Sequence, residues 1–135
     1  MAAEGPPGVM PEPEGGERRR LLLVEDERLT SAALKGILNL RGWDVTVAPT
    51  VAQATAAVRN GRFSAVVLDL VLPDGDGEVV MSEVRRRFGY GVPVVVTSGV
   101  GDPQRIEAVT KEGPAAFLRK PIRLNDLLDA IGHSA

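Results

Sequence analysis

Short apolar runs that alternate with helix-like segments are the feature that most limits what this chain can fold into. Three of the runs are apolar at consecutive positions, as expected of parallel strands covered on both faces. The regular alternation predicts an open α/β sheet with helices on both faces. The apolar runs lie near 21–24, 45–48, 65–70, 92–97 and 115–118, and the helical segments near 29–40, 51–59, 78–88, 103–111 and 124–131.

Polar side chains stand at the carboxyl ends of four of the predicted strands. In an open α/β sheet these ends meet at one edge, which is where such folds bind ligands. Asp69 is the most informative, because it ends an apolar strand and an unpaired buried carboxylate is costly. The polar residues are Glu25 and Asp26 after the first strand, Asp69 at the third, Thr97 and Ser98 at the fourth, and Lys120 after the fifth.

Taken singly, most of these polar residues can be explained by local structure, without a functional site. Glu25 and Asp26 suit a solvated loop that opens a helix, where the helix dipole favours acidic side chains. Lys120, which precedes Pro121, suits a surface turn. Their shared position at one edge favours a functional site, because clustered carboxylates need a cation such as Mg²⁺, and a lysine beside a hydroxyl suits an anion.

Composition and charge narrow the class of protein further. The 135 residues suffice for a single domain. A formal net charge of −2 gives no general attraction to nucleic acid or to anionic membranes, so we expect neither as a direct partner. Cysteine is absent, which excludes disulfides and thiolate-bound zinc and fits a cytoplasmic protein. No apolar stretch approaches the roughly 20 residues that a membrane-spanning helix needs.

Four sequence motifs resemble, in order, those of the receiver domains of bacterial two-component response regulators. They are LLLVEDE at 21–27, VVLDLVLPDGDG at 66–77, VPVVVTSG at 92–99 and FLRKPI at 117–122. The resemblance implies a flavodoxin-like, doubly wound sheet of five parallel strands in the order 2-1-3-4-5. A stretch rich in Pro, Gly and Glu precedes these motifs. We therefore predict a disordered leader at 1–17 and a receiver domain at 18–133.

The resemblance also implies roles for the residues at the sheet edge. Asp69 is expected to be the phosphoacceptor, and Lys120 and the Ser98 hydroxyl are expected to contact the phosphoryl oxygens. Phe117 stands at the aromatic switch position of the family, where it is expected to turn inward on activation. The peptide bond between Lys120 and Pro121 is expected to be cis, as in other members.

A Mg²⁺ site is the cofactor site that the resemblance implies. Its expected ligands are the carboxylates of Glu25, Asp26 and Asp69 and the backbone carbonyl of Val71, with Glu25 standing where many members have aspartate. In this family the residues two positions after the acceptor and after the hydroxyl tune hydrolysis, and here they are Val71 and Val100. Since neither side chain can orient a water molecule, we expect slow loss of the phosphoryl group.

The function that the resemblance implies is a phosphorylation-dependent switch of a two-component phosphorelay, a phosphoacceptor rather than an enzyme. Its expected partners are a histidine kinase or phosphotransfer protein and a downstream protein target, with a homodimer through the last two helices as a further expectation. We expect either a stand-alone receiver or the receiver end of a hybrid histidine kinase. The alternative is a pseudo-receiver, an interaction module that works without phosphorylation.

Overall fold

A computed structural model describes residues 19–99 and 103–132 of the chain. The predicted leader at 1–17 lies outside these residues. The strands are β1 (Arg19–Val24), β2 (Trp43–Ala48), β3 (Ala65–Asp69), β4 (Val71–Leu72), β5 (Gly75–Asp76), β6 (Val94–Ser98) and β7 (Ala116–Arg119). The helices are α1 (Arg28–Leu40), α2 (Val51–Asn60), α3 (Glu78–Phe88), α4 (Pro103–Thr110) and α5 (Leu124–Ile131).

The larger sheet has five parallel strands in the order β2-β1-β3-β6-β7. Since β6 and β7 are the fourth and fifth of the predicted strands, the predicted order 2-1-3-4-5 is confirmed. The prediction missed β4 and β5, which form a short antiparallel hairpin between β3 and α3. Gly and Asp are depleted in strands, so the composition of segment 71–76 gives little sign of this hairpin.

Both faces of the sheet are covered by helices, which explains why the apolar runs do not alternate with polar residues. One core lies against α2, α3 and α4 and includes Val58, Val80 and Val109. The second core lies against α1 and α5 and includes Leu38 and Ile131. All of β3 is buried, so this strand reaches the functional edge from the interior. Within residues 19–99 and 103–132, no helix combines the length and apolarity needed to cross a membrane.

Arg85 of α3 joins the ends of two helices to the start of β6. Its guanidinium donates hydrogen bonds to four backbone carbonyls, which belong to Gly89, Val92, Glu112 and Gly113, at 2.8–2.9 Å. The same group lies 4.7 Å from the centroid of the Tyr90 ring. A planar guanidinium can bond several carbonyls at once, whereas a lysine ammonium is a single point charge.

Replacing Arg85 with lysine is therefore expected to lower the free energy of unfolding by about 2 kcal/mol, the scale of one or two lost charge-assisted hydrogen bonds. Urea denaturation followed by circular dichroism measures this change. Arg86→Lys is the matched control, because the adjacent Arg86 is exposed and pairs only with Glu83 among the contacts observed. Equal denaturation midpoints for the two variants would contradict the role assigned to Arg85.

Candidate functional site at the carboxyl edge of the sheet

Lys120 brings together two carboxylates at the carboxyl edge of the sheet. Its Nζ lies 2.9 Å from Asp69 Oδ2 and 2.9 Å from Glu25 Oε1. Asp69 ends β3, Glu25 follows β1 and Lys120 follows β7, so three strands supply these groups. The structure thus gathers side chains that lie far apart in the sequence, at the edge where the strand pattern places them.

The Asp69 carboxylate is held in one orientation by its own loop. The side chain is almost fully buried, and its Oδ1 accepts a hydrogen bond from the Val71 N–H at 3.1 Å. The loop is closed behind Asp69 by the Gly77 N–H, which donates to the Leu70 carbonyl at 2.9 Å. Each Asp69 oxygen therefore has a defined partner, Oδ1 with Val71 and Oδ2 with Lys120.

The electrostatics of Lys120 follow from its two acidic partners. Burial alone would lower the pKa of the Lys120 ammonium, but the hydrogen bonds to Asp69 and Glu25 outweigh burial and raise that pKa. The ammonium therefore remains charged at neutral pH. It offsets the negative charge of two buried carboxylates, which would otherwise be expensive to remove from water.

An acidic cluster lies beside the lysine and suits a divalent cation. Glu25, Asp26 and Asp69 each offer a carboxylate oxygen, and these oxygens lie within 4.8 Å of one another. Glu25 is buried and its Oε2 accepts a hydrogen bond from the Glu27 N–H at 2.9 Å, whereas Asp26 is exposed. Hard oxygen ligands with one side open to water match the preferences of Mg²⁺, which keeps several water ligands.

Two hydroxyl residues end β6, and they face different surroundings. The Thr97 side chain is buried, and its hydroxyl donates to the Leu68 carbonyl at the long distance of 3.5 Å. Ser98 is half-buried at the end of the strand, where its carbonyl accepts a hydrogen bond from the Lys120 N–H at 2.9 Å. Ser98 therefore stands next to the lysine at the site edge. Val100 lies outside the described residues.

Phe117 lies on β7, the last strand of the five-stranded sheet. Its side chain is partly exposed, with 40% of its surface accessible. It lines an apolar cavity of about 340 Å³ together with Ser98, Ile106 and Leu118. An aromatic ring beside an apolar space that Ser98 also lines has room to change its rotamer. The peptide bond between Lys120 and Pro121 is cis, as expected.

Asp74 is a site residue that the sequence analysis missed. Its carboxylate accepts hydrogen bonds from the N–H groups of Val51 (2.7 Å) and Ala52 (3.1 Å), at the start of α2. It thereby ties the β4–β5 hairpin, which follows Asp69, to a helix on the same edge. Within the motif DGDG this role is invisible, because its partners lie more than twenty residues earlier in the chain.

Replacing Asp74 with asparagine is expected to weaken this tie and to do so in a pH-dependent way. The two N–H donors lower the pKa of the Asp74 carboxyl below its ordinary 3.8. A pKa that is lower in the folded state adds stability above 3.8, and this stability is lost as the pH falls through the folded value. The gap in melting temperature between wild type and Asp74→Asn should therefore be widest at neutral pH and narrow in acid.

Thermal melts between neutral pH and about pH 2 measure this gap, because the range must extend below the lowered pKa of Asp74. Glu107→Gln is the control, because it removes an exposed carboxylate of α4 that accepts no such hydrogen bonds from residues 19–99 or 103–132. A gap that stays constant with pH, or that matches the control, would contradict the role of Asp74.

Comparison with known proteins identifies the family of the chain and agrees with the fold. The family model of the response regulator receiver domain matches residues 21–132. Because the match covers most of the chain, the protein belongs to the family of response regulator receiver domains. Signalling by phosphorylation is general in this family, and its members bind Mg²⁺ in the active site. The identification from the four sequence motifs is thus confirmed.

Two curated relatives are similar over most of the chain. The probable transcriptional regulatory protein y4xI of Sinorhizobium fredii is 36% identical over 81% of this chain and 47% of its own length. The photosynthetic apparatus regulatory protein RegA of Rhodobacter capsulatus is 34% identical over 87% of this chain and 64% of its own length. The chain thus spans about half to two thirds of these relatives.

Solved structures of receiver domains have the same fold. A CheY-like receiver domain protein from Methanospirillum hungatei is 25% identical, with a TM-score of 0.79 over 84% of this chain and 90% of that one. The receiver domain of the sensor histidine kinase PA1611 from Pseudomonas aeruginosa is 26% identical, with a TM-score of 0.73 over 84% of this chain and 98% of that one. The latter structure has magnesium coordinated in its active site cleft.

Proposed function

We propose that this chain is a signalling switch that accepts a phosphoryl group on Asp69 from a phosphohistidine donor. The observation that carries the proposal is the pairing of Lys120 Nζ with Asp69 Oδ2 and Glu25 Oε1, both at 2.9 Å. A charged lysine at a strand-end carboxylate is suited to the anion that this carboxylate acquires on phosphorylation. The protein would promote phosphoryl transfer chiefly by positioning the reacting groups and by electrostatic stabilisation.

The proposed reaction is an in-line displacement at phosphorus. An oxygen of the Asp69 carboxylate attacks the phosphorus atom, the new P–O bond forms, and the P–N bond of phosphohistidine breaks as imidazole leaves with the bonding electrons. The Val71 N–H holds the carboxylate in orientation through Oδ1. The Lys120 ammonium offsets the charge on the phosphoryl oxygens, and Ser98 is proposed to donate its hydroxyl to one of them.

The proposed Mg²⁺ ligands are the carboxylates of Glu25, Asp26 and Asp69 and the carbonyl of Val71. The close grouping of the three carboxylates supports this set, and Val71 is included from its position two residues after Asp69. When bound, Mg²⁺ supplies positive charge to the phosphoryl oxygens during transfer. With Mg²⁺ removed by EDTA, the mutual repulsion of the carboxylates and the entering phosphoryl group is expected to prevent phosphorylation.

The proposed output is a change in the surface around α4 and β7. Ser98 moves toward the phosphoryl group, and Phe117 turns into the apolar cavity beside Ile106. The size of this cavity, about 340 Å³, and the partial exposure of Phe117 support such a movement. The new dianion thus biases a two-state element on which a partner docks.

Beryllofluoride with Mg²⁺, which mimics a phosphoryl group on aspartate, tests this switch directly. Amide NMR spectra are expected to change at Asp69 and also at Ser98, in α4 and around Phe117. Asp69→Asn is the control and should show no change. Chemical-shift changes confined to the neighbourhood of Glu25 and Asp69 would contradict the switch, although they would still show that the anion binds.

The partners proposed for the chain are a histidine kinase or phosphotransfer protein as donor and a protein as downstream target. Both a stand-alone receiver and the receiver end of a hybrid kinase are compatible with the relatives, which include transcriptional regulators and a sensor histidine kinase. We propose a cytoplasmic location, no direct contact with nucleic acid, and a receiver domain that spans 18–133.

We also propose a homodimer through α4 and α5. Sedimentation of the chain with and without beryllofluoride tests this homodimer.

A pseudo-receiver that binds its partner without phosphorylation is the competing function. It predicts no phosphoryl adduct and equal partner binding by wild type and Asp69→Asn. The paired geometry of Asp69 and Lys120 favours the phosphorylated switch, because a domain that only docks has no need to hold a buried carboxylate and an ammonium in contact.

A further inference from the structure

A basic cleft lies at the edge of the sheet opposite Asp69. It has a volume of about 780 Å³ and is formed by the starts of β1 and β2, the segment between α2 and β3, and the end of α3. Arg20, Arg62 and Arg87 line it, against a single carboxylate, Asp44. The cleft therefore carries an excess of positive charge on a chain whose formal net charge is −2.

None of the three arginines of the cleft has an acidic partner among the described residues, 19–99 and 103–132. Arg87 donates to the carbonyls of Val58 (2.8 Å) and Gly61 (3.3 Å), which are neutral acceptors. The guanidinium of Arg20 lies 5.0 Å from the centroid of the Phe63 ring. These contacts position the two guanidinium groups without neutralising them, so the cleft is prepared for an anionic group.

The leader is an acidic segment that directly precedes β1 in the sequence. Residues 1–17 contain four glutamates and neither lysine nor arginine. β1 begins at Arg19, and the next residue, Arg20, already lines the cleft. Glu12 precedes Arg20 by eight residues, and such a length of chain spans at most about 29 Å. Charge and reach therefore both favour this segment as the occupant.

We propose that Glu12, Glu14 and Glu17 of this chain dock into the basic cleft formed by Arg20, Arg62 and Arg87. Single exposed ion pairs are weak, but a short tether gives an effective concentration of the order of millimolar. The contact is electrostatic and needs no secondary structure in the leader. It is expected to weaken with salt, because the Debye length falls from about 30 Å at 0.01 M to about 10 Å at 0.1 M. Its chemistry is independent of Asp69.

Paramagnetic NMR on the full chain tests this docking. The sequence has no cysteine, so Val9→Cys accepts a nitroxide label at one position only. Docking is expected to broaden the amide resonances of residues 61–64, which line the cleft, at least about twofold more than the amide resonances of residues 41–42. Residues 41–42 are the matched control. They lead into β2, whereas residues 61–64 lead into β3, and β2 and β3 lie on either side of β1. The difference should disappear in Glu12→Gln/Glu14→Gln/Glu17→Gln and in Arg62→Glu.

Equal broadening of the two segments, or broadening that survives in the triple variant, would overturn the proposal. A mixture of isotope-labelled chain and separately spin-labelled chain distinguishes the source of the acidic segment. Broadening of 61–64 in that mixture would mean that the leader of a second copy occupies the cleft, which also overturns docking within one chain. The substituted glutamates lie outside the described residues, 19–99 and 103–132, and a wild-type circular dichroism spectrum of the triple variant would exclude unfolding of the sheet as the cause of the lost effect.

Discussion

Lys120→Met is expected to slow phosphorylation by phosphoramidate on the order of 100-fold, the scale of losing one preorganised charge at a transition state. Methionine keeps most of the length of the side chain but removes the ammonium that lies 2.9 Å from Asp69 and from Glu25. Nothing then offsets the charge of the entering phosphoryl group on that side of the site. The rate of adduct formation, followed by intact mass at fixed Mg²⁺, measures the effect.

The same variant should also lose stability in a way that depends on Mg²⁺. Without the ammonium, the buried carboxylates of Glu25 and Asp69 repel each other, so the melting temperature in EDTA should fall and Mg²⁺ should restore part of it. Lys111→Met is the control, because Lys111 is exposed in the turn after α4 and is not the lysine that pairs with Asp69 and Glu25. Phosphorylation of Lys120→Met at the wild-type rate would show that the lysine has no part in transfer.

Gly77→Ala is expected to lower the free energy of unfolding by about 3 kcal/mol and to abolish most phosphorylation, because it forces the loop away from Asp69. A Cβ at position 77 would overlap the Asp69 carbonyl oxygen and would lie 3.0 Å from the Leu70 Cα. Both obstacles are backbone atoms, so no rotation of a side chain relieves the clash. The displaced backbone is the segment that orients the Asp69 carboxylate.

Gly36→Ala is a control for Gly77→Ala with the opposite expected effect on stability. Gly36 lies in α1, where an added Cβ would meet no atom within 4 Å. Alanine is favoured over glycine in a helix interior, so this variant should be more stable than wild type by about 0.5 to 1 kcal/mol. Denaturant titrations and phosphorylation rates of the two variants form one experiment. A Gly77→Ala protein as stable and as reactive as wild type would exclude the close approach of Gly77 to the backbone of Asp69 and Leu70.

The parallel sheet and the meeting of Asp69, Glu25 and Lys120 could be predicted from sequence because both depend on regular features. Consecutive apolar residues mark buried parallel strands, and the carboxyl ends of such strands share one edge. A charged residue at the end of a buried strand, as at Asp69, is then conspicuous. Local sequence therefore carries most of the information about the position of the site.

The residues that hold the site and the surrounding backbone in place could not be predicted, because their roles depend on contacts between distant segments. Asp74 accepts hydrogen bonds from the start of α2, and Gly77 is required by the backbone of Asp69 and Leu70. Similarly, Arg85 bonds carbonyls in the segments that follow α3 and α4. In the sequence these residues are an acidic turn, a glycine and one arginine of three, and only the tertiary structure distinguishes them.

The intact mass of the chain after incubation with phosphoramidate and Mg²⁺ tests the central claim most directly. We predict the addition of a single phosphoryl group, absent in EDTA and in Asp69→Asn but present in Asp44→Asn, whose carboxylate lies at the opposite edge of the sheet. An unmodified wild-type mass under the same conditions, or an adduct that persists in Asp69→Asn, would contradict the assignment of Asp69 as the phosphoacceptor.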